Sequence, residues 1–537
     1  MSASDTISVA DLLVRRLGEH GVEDVFGYPG GQLTPVYDAL YRQGVIRHRL
    51  ARHEQAAGFM ADGYARATGR PGVCLAVCGP GVFNAATPLL TAYTDSIPVL
   101  LISGQVPTVG EGLRSGYYHE NDQLRACGPL IKWGARVSSP DQLVSCLDEA
   151  WVQLTTGRPG PVLLEIPLDV LRKDAPAAVL PPPVPPLAPP ADPAEIHQLV
   201  DLIQTWERPL LLIGGGVLSA QAENLLRQLA ERLGAPVLHT ANGKGAFPAS
   251  HPLAMGMPWV RATSDLTEMT THLSPLLAQS DGLLALGCRF SQLGTASWSL
   301  RPPPCLVQID IDPEEIGRHY PVQLGITADL GMALESLLSA LPPTDRSPWA
   351  SKQAIGQPWR LPGMDVVEPL RQTLPEDGIL AADVTRLAYI LMADFPLDHP
   401  RTFLHPSGAV AMGYAIPAAL GARVAWPGRK VVAVVGDGGL LMSGMELATS
   451  QQEKLPIVVL LINDQCLSLI KSTQQRRYQK RYIAVDLENP DFSLLARAFG
   501  VGYACPKSDE ELERALREAF DRDETTLIEV SIDPVGK

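Results

Sequence analysis

Two short clusters late in the chain carry residue types that could hold a metal-linked anion. Gly436-Asp437-Gly438-Gly439 follows an apolar run at 430–435, and Asn463-Asp464-Gln465 follows a second run at 456–462. If both runs are strands of one parallel sheet, each ends in a carboxylate at the carboxyl edge, where open α/β sheets bind ligands. Glycines let backbone N–H groups approach phosphate oxygens, and a helix N-terminus favours negative charge. The helix that follows the first cluster is predicted over 442–453. Two side-chain oxygens, a backbone carbonyl and two phosphate oxygens would make an octahedral Mg²⁺ shell. A Gly-Asp-Gly alone is more often a plain strand–turn–helix. The Asn-Asp pair, separated from Gly436-Asp437-Gly438 by 24 residues, is what argues for a site.

The elements that must position these clusters are legible as apolar runs. Strands are predicted at 72–77 and 99–103, then at 209–213, 236–239, 282–286 and 305–311, and finally at 378–382, 430–435, 456–462 and 526–532. A helix is predicted over 55–68. Continuous Val/Ile/Leu runs separated by helical patterns indicate parallel sheets covered on both faces. Two proline-rich stretches, 175–193 and the weaker 341–363, divide the 537 residues into pieces of about 175, 150 and 175. Proline fixes φ and lacks a donor, so the first stretch should be extended and unpaired. The expected architecture is α/β, with three doubly wound parallel-sheet domains at 1–175, 194–342 and 364–537, joined by linkers at 176–193 and 343–363. No short internal repeat is visible.

Composition narrows the partners. With 44 basic and 58 acidic side chains the net charge is −14, and no basic block is present, which argues against nucleic acid or an anionic membrane as the main partner. None of the 8 cysteines forms a CxxC pair, which argues against a zinc ribbon or thioredoxin-type site. Residues 1–17 lack the apolar core of a signal peptide, and no window of about 20 residues is free of charge and breakers. A cytoplasmic setting is expected.

The spacing of the two clusters resembles the diphosphate and metal motif of thiamine diphosphate enzymes. The stretches 25–40 (VFGYPGGQLTPVYDAL), 52–80 (RHEQAAGFMADGYARATGRPGVCLAVCGP) and 157–170 (GRPGPVLLEIPLDV) are similar to the first domain of the acetolactate synthase large subunit and its relatives. Gly214-Gly215-Gly216 with 243–256 resembles the middle domain, and 408–422 with 436–449 the last. The matches fall in all three pieces and in order.

This resemblance implies roles. Glu54 would hydrogen-bond the cofactor's pyrimidine, helping it reach the imino tautomer that deprotonates thiazolium C2, with the cofactor as electron sink. Gly30 belongs to the same set. Met412 would prop the cofactor into its bent shape, with the Val410 carbonyl and Met412 N–H on the pyrimidine. Asp437, Asp464 and the Cys466 carbonyl would ligate Mg²⁺; Asp464 stands where Asn is usual. Gly436, Gly438, Gly439, Ser468 and Leu469 would reach the diphosphate, with His405 a further candidate. In the family, Glu54 and the diphosphate site come from different subunits, which implies a homodimer or homotetramer with shared active sites.

The substrate-facing positions depart from acetolactate synthase. Tyr118-His119 replaces Phe-Gln, and a histidine there could move a proton or stabilise an alkoxide. The neighbouring acids Glu120 and Asp122 would suit a cationic, guanidino 2-oxo acid. Thr473 stands where a tryptophan selects the acceptor. Pro258-Trp259 replaces His-Gly, and Ser291-Gln292 replaces an aspartate pair after Phe290, so a middle domain without FAD is favoured over one that binds it. The long C-terminal arm that covers the site is expected to be missing. The expected activity is decarboxylation of a pyruvate-like 2-oxo acid and transfer of the acyl carbanion to an acceptor. The alternatives are a non-ligating decarboxylase that releases an aldehyde, and a non-catalytic cofactor-binding protein.

Overall fold

The computed structural model describes all residues except 1–5, 111–113, 178–180, 182, 183, 185, 187, 262–270, 344, 352–363 and 534–537. The described chain packs as two compact units. One comprises Met1–Leu187, Ala409–Gly428 and Ser443–Pro456, and the other Ala188–Gly408, Arg429–Met442 and Ile457–Lys537. Three parallel sheets carry the architecture, one in the first unit and two in the second.

The first sheet is built from β1 (Asp24–Gly27), β2 (Arg47–Leu50), β3 (Gly72–Ala76), β4 (Val99–Gln105), β5 (Trp133–Arg136) and β6 (Val162–Pro167), in the spatial order 2-1-3-4-6-5. The second joins β7 (Pro209–Ile213), β8 (Val237–His239), β9 (Gly282–Leu286), β10 (Cys305–Asp310) and β11 (Leu324–Thr327) in the order 8-7-9-10-11. The third holds β12 (Ile379–Ala382), β13 (Phe403–Leu404), β14 (Val431–Gly436), β15 (Val458–Asn463), β16 (Gly502–Ala504) and β17 (Thr526–Ser531), ordered 13-12-14-15-17-16. Every residue of β3, β4 and β6 is buried, as strands covered on both faces require.

Several helices frame the sites. They are α1 (Glu54–Thr68), α2 (Pro80–Asn84), α3 (Ala86–Asp95), α4 (Ala415–Ala425), α5 (Asp437–Ser443), α6 (Glu446–Glu453) and α7 (Ser468–Arg477). The helix expected at 442–453 in fact starts at Asp437, directly on β14, and breaks at residues 444–445. The proline stretch at 175–193 is not wholly unpaired, because Ala175 and Pro176 pair with Ile7 and Thr6. Much of the rest of that stretch lies outside the described residues, as do 352–363 of the second linker.

In the first unit, α1 and α4 approach backbone to backbone. A Cβ on Gly63 would lie 2.2 Å from the Ala418 carbonyl, and one on Gly421 would lie 2.0 Å from that of Met60. The buried Tyr414 hydroxyl donates to Asp62 at 2.9 Å, and Arg66 bridges Asp62 and Asp95 at 2.6 and 2.9 Å. The pairing satisfies charges that burial would otherwise make costly.

In the second unit, Asp310 ends β10. Its Oδ1 accepts the Asp312 N–H at 3.1 Å, yet burial, the largest influence, pushes the carboxyl up to about 6. The folded state therefore keeps this proton to higher pH than the unfolded chain. The resulting stabilisation is complete below pH of about 4 and lost as pH rises through about 6, at roughly 1.4 kcal/mol for each pH unit separating the folded and unfolded titrations. Asp310→Asn keeps the acceptor and removes the charge. Thermal melts should show the variant about 2–3 kcal/mol more stable than the parent at pH 7–8, with the difference vanishing near pH 4; equal melts at both pH values would contradict this.

Candidate active site

Glu54 opens α1. His53 caps the helix in extended geometry, its Nδ1 accepting the Gln55 N–H at 3.1 Å. A carboxylate in the first helical turn meets the positive end of the helix dipole. The side chain is buried, with 8% exposure. Its Oε2 accepts Asn84 Nδ2–H at 2.9 Å. Its Oε1 makes no hydrogen bond among the described residues and faces Gly81, whose Cβ would stand 3.2 Å away.

The turn that presents Glu54 is fixed by a second buried acid. Glu446 of α6, 1% exposed, accepts the Arg52 N–H at 2.9 Å on one oxygen and 3.2 Å on the other, and the Thr449 hydroxyl at 2.5 Å. Burial raises this carboxyl, and the Thr449 and backbone donors oppose that rise. Residue reading missed Glu446 and Asn84. Both sit inside or beside the matched stretches, but only the folded chain shows what they touch.

Gly30 and the Tyr118-His119 loop lie at the carboxyl edge of the first sheet, beside the turns that follow β1 and β3. His119 has φ 67°, in the left-handed region, and its carbonyl accepts Asn121 Nδ2–H at 2.8 Å. A Cβ on Gly79 would lie 3.1 Å from that carbonyl, and Gly79 itself adopts φ 68°, ψ −110°, which suits only glycine. Tyr118 stacks edge-on to His119 at 5.0 Å, and its hydroxyl would lie 3.6 Å from a Cβ on Gly31. Gly30 presses on Val77, where a Cβ would meet the Val77 Cβ at 2.4 Å. Glu120 accepts the Ser115 and Gly116 N–H groups at 2.9 and 3.0 Å, and Asp122 caps the Gln123–Cys127 helix. Both acids thus shape their own loop. Before α4, Val410 sits at φ 53°, a strained conformation for a β-branched residue, and Met412 is half-buried.

The two aspartates expected to hold a metal lie in the second unit. The register pairs Gly436 with Ile462, so the residues that follow, Asp437 and Asn463, leave adjacent strands side by side. Asp437 Oδ1 accepts the Gly438 N–H at 2.9 Å, and Oδ2 accepts Asn489 Nδ2–H at 2.7 Å. Asn489 also donates to Asn463 at 3.0 Å, and Asn463 to Glu529 at 2.7 Å. Asp464 accepts the Cys466 N–H at 3.3 Å and the Ser468 hydroxyl. Burial raises both aspartates, and the Asp437 charge raises Asp464 further. Two buried carboxylates that repel each other suit a hard divalent cation. No three His, Cys, Asp or Glu side chains converge among the described residues, and the Cys466 carbonyl would supply a third protein donor. The donor chemistry therefore fits Mg²⁺. Gly438 and Gly439 form the first turn of α5, and Ser468 and Leu469 that of α7. His405 is buried, hydrogen-bonded to Ser407 at 3.1 Å and stacked on Phe403.

The substrate-side Thr473 and the middle-domain Trp259 are explained locally. Thr473 bonds back to the Leu469 carbonyl at 3.0 Å within α7. Trp259 is buried and donates to the Leu293 carbonyl at 2.9 Å. The Gly214 and Gly216 backbones pass so close to Gly287 that Cβ atoms there would sit 2.1 and 2.5 Å from it. These glycines are accounted for by chain crossing.

Three family models match in order. They are described as the thiamine pyrophosphate enzyme N-terminal TPP binding domain (residues 7–126), the central domain (196–337) and the C-terminal TPP binding domain (383–530). The chain is 36% identical to the acetolactate synthase large subunit of Parasynechococcus marenigrum, covering 99% of this chain and 88% of that one. It is 34% identical to the Haemophilus influenzae large subunit, over 98% and 95%. It is equally similar, at 36% over 99% and 95%, to a Pseudomonas aeruginosa protein named "Probable 2-ketoarginine decarboxylase AruI".

Replacing Glu446 by Gln leaves a buried amide where a carboxylate accepted two or three donors. Denaturant unfolding should show a loss of about 1–3 kcal/mol. A loss below about 0.5 kcal/mol would mean that Glu446 does not hold the turn before Glu54.

Proposed function

This chain belongs to the thiamine pyrophosphate enzymes, and from that premise we propose that it decarboxylates a pyruvate-like 2-oxo acid and passes the acyl carbanion to an acceptor carbonyl. Glu54 carries the reading, as a buried carboxyl with one oxygen held by Asn84 and the other unbonded beside a glycine. Bound thiamine diphosphate supplies a carbon nucleophile and an electron sink. Glu54 would hold its pyrimidine, and the Val410 carbonyl and Met412 would seat that ring. Asp437, Asp464 and the Cys466 carbonyl would hold Mg²⁺, with Gly436, Gly438, Gly439, Ser468, Leu469 and His405 around the diphosphate.

In the reaction, the bond between the substrate's carboxyl and keto carbons breaks and CO₂ leaves. The electron pair left on the keto carbon forms the new bond to the acceptor, whose oxygen takes a proton. His119, with Tyr118 against it, would give that proton. The left-handed turn at His119 keeps the imidazole in the same loop that Glu120 and Asp122 brace.

The working unit is a homodimer or homotetramer, in which Glu54 of one protomer serves the diphosphate site of its partner. Phe83, Leu90 and Tyr93, on α2 and α3, are 47%, 38% and 40% exposed, an apolar face suited to burial by a second copy. All eight cysteines are free thiols, in keeping with a reducing cytoplasm. No helix among the described residues is long and apolar enough to cross a membrane.

A second reading is a decarboxylase that releases an aldehyde from a guanidino 2-oxo acid. His119 as a proton donor to the carbanion favours it, as does the similarity to the protein named for 2-ketoarginine. Flavin is no part of either reading.

Product analysis with 2-oxo acids fed singly and in pairs separates the two. Carboligation predicts a condensed hydroxy-oxo acid with CO₂, and simple decarboxylation predicts aldehyde. Glu54→Gln should cut turnover about 10²–10⁴-fold in folded protein; intact turnover would remove Glu54 from the catalytic role.

A further inference from the structure

We infer that Asn84 is a positioning residue for Glu54. It engages Oε2 so that the transferable proton is confined to Oε1, the oxygen beside Gly81. The inference rests on the reading of Glu54 as the group that meets the cofactor's pyrimidine.

A carboxyl has two oxygens, and a buried one can carry its proton on either. An amide N–H can only donate, so the 2.9 Å bond from Asn84 Nδ2 makes Oε2 an acceptor. A proton on Oε2 would have to displace that donor or point away from it. Turning the Asn84 amide over would set its carbonyl oxygen against a carboxylate oxygen, which repels unless Glu54 is protonated there. The observed arrangement is therefore the one compatible with an ionised Glu54.

The backbone aims the amide. Asn84 ends α2, a short helix entered through Gly79 at φ 68°, ψ −110°. The turn is tied down by Val82 N–H to the Val77 carbonyl at 3.1 Å, Phe83 N–H to that of Gly79 at 3.0 Å, and Ala85 N–H to that of Gly81 at 3.1 Å. The Asn84 side chain does not cap its own helix; it reaches across to α1. Gly81, on the same helix, carries no side chain at the point nearest Oε1. One five-residue turn thus occupies one oxygen of the carboxyl and leaves space at the other. The same turn runs against His119 through Gly79, so the spacing between Glu54 and His119 passes through it.

The test compares Asn84→Ala and Asn84→Asp with the parent. The first readout is the ¹³C titration of the Glu54 carboxyl in the apoenzyme, assigned through Glu54→Gln. Loss of the donor should raise that titration by about 0.5–1 pH unit in the alanine variant, and a facing carboxylate should raise it further in the aspartate variant. The second readout is kinetic. In Asn84→Ala, kcat should fall about tenfold with the KM for the 2-oxo acid within about twofold, the signature of a lost transition-state interaction. An unmoved titration with a lowered melting temperature would make Asn84 merely structural and overturn the inference. So would a shifted titration with unchanged kcat. If Glu54→Gln itself leaves turnover intact, the catalytic reading of Glu54 fails. The apoenzyme titration would still report whether Asn84 holds the carboxyl. Should Asn84→Asp not fold, the comparison of Asn84→Ala with the parent decides alone.

Discussion

A carboxylate taken out of water must find donors or counter-charge, and this chain buries several at functional points. Glu54 is held by an asparagine and a helix N-terminus, and Glu446 by backbone N–H groups. Asp437 and Asp464 have partial hydrogen bonding and each other's repulsion. Glu446 is satisfied by protein alone, whereas Glu54 keeps one oxygen unbonded. Burial raises Asp437 and Asp464, and the Asp437 charge raises Asp464 further, which is the chemical reason to place a divalent ion between their oxygens. The distinction between an acid used to fix geometry and one used to bind a ligand follows from this difference.

The scaffold that makes such acids tolerable is the parallel sheet. Its strands are buried on both faces, so polar function concentrates at the carboxyl edge. The first and third sheets have the same strand order, 2-1-3-4-6-5 when each is numbered from its own first strand. One presents Glu54 and the His119 loop, and the other presents the two aspartates. No repeat was visible along the chain, because a shared topology constrains only apolar runs and their spacing, and many sequences satisfy both.

Much of the fold could be read from residues. The runs at 209–213 and 282–286 matched strands to the residue, and most others fell within one or two positions. Short edge strands such as β2 and β5 escaped, since Arg47-His48-Arg49-Leu50 and Trp133-Gly134-Ala135-Arg136 are half-exposed and lack a continuous apolar run. The helix after Gly436 was placed too late because glycines at 438 and 439 read as a turn, whereas tertiary packing overrides their low propensity. In the candidate site, Asp437 stood out by motif spacing and Glu54 only through the family resemblance. Asn84 and Glu446 were not legible, because their role is set by contacts across more than one element. The acids Glu120 and Asp122 looked free for a cationic substrate, yet backbone N–H groups of their own loop already engage both.

The central claim is that Asp437 and Asp464 anchor thiamine diphosphate through a divalent cation. Calorimetric titration of the apoenzyme with this cofactor, with and without Mg²⁺, in the parent and in Asp437→Ala, tests it most directly. The account predicts saturable binding that needs Mg²⁺ in the parent and is lost in the variant. Equal binding in the presence of a chelator, or full Mg²⁺-dependent binding by Asp437→Ala, would contradict it.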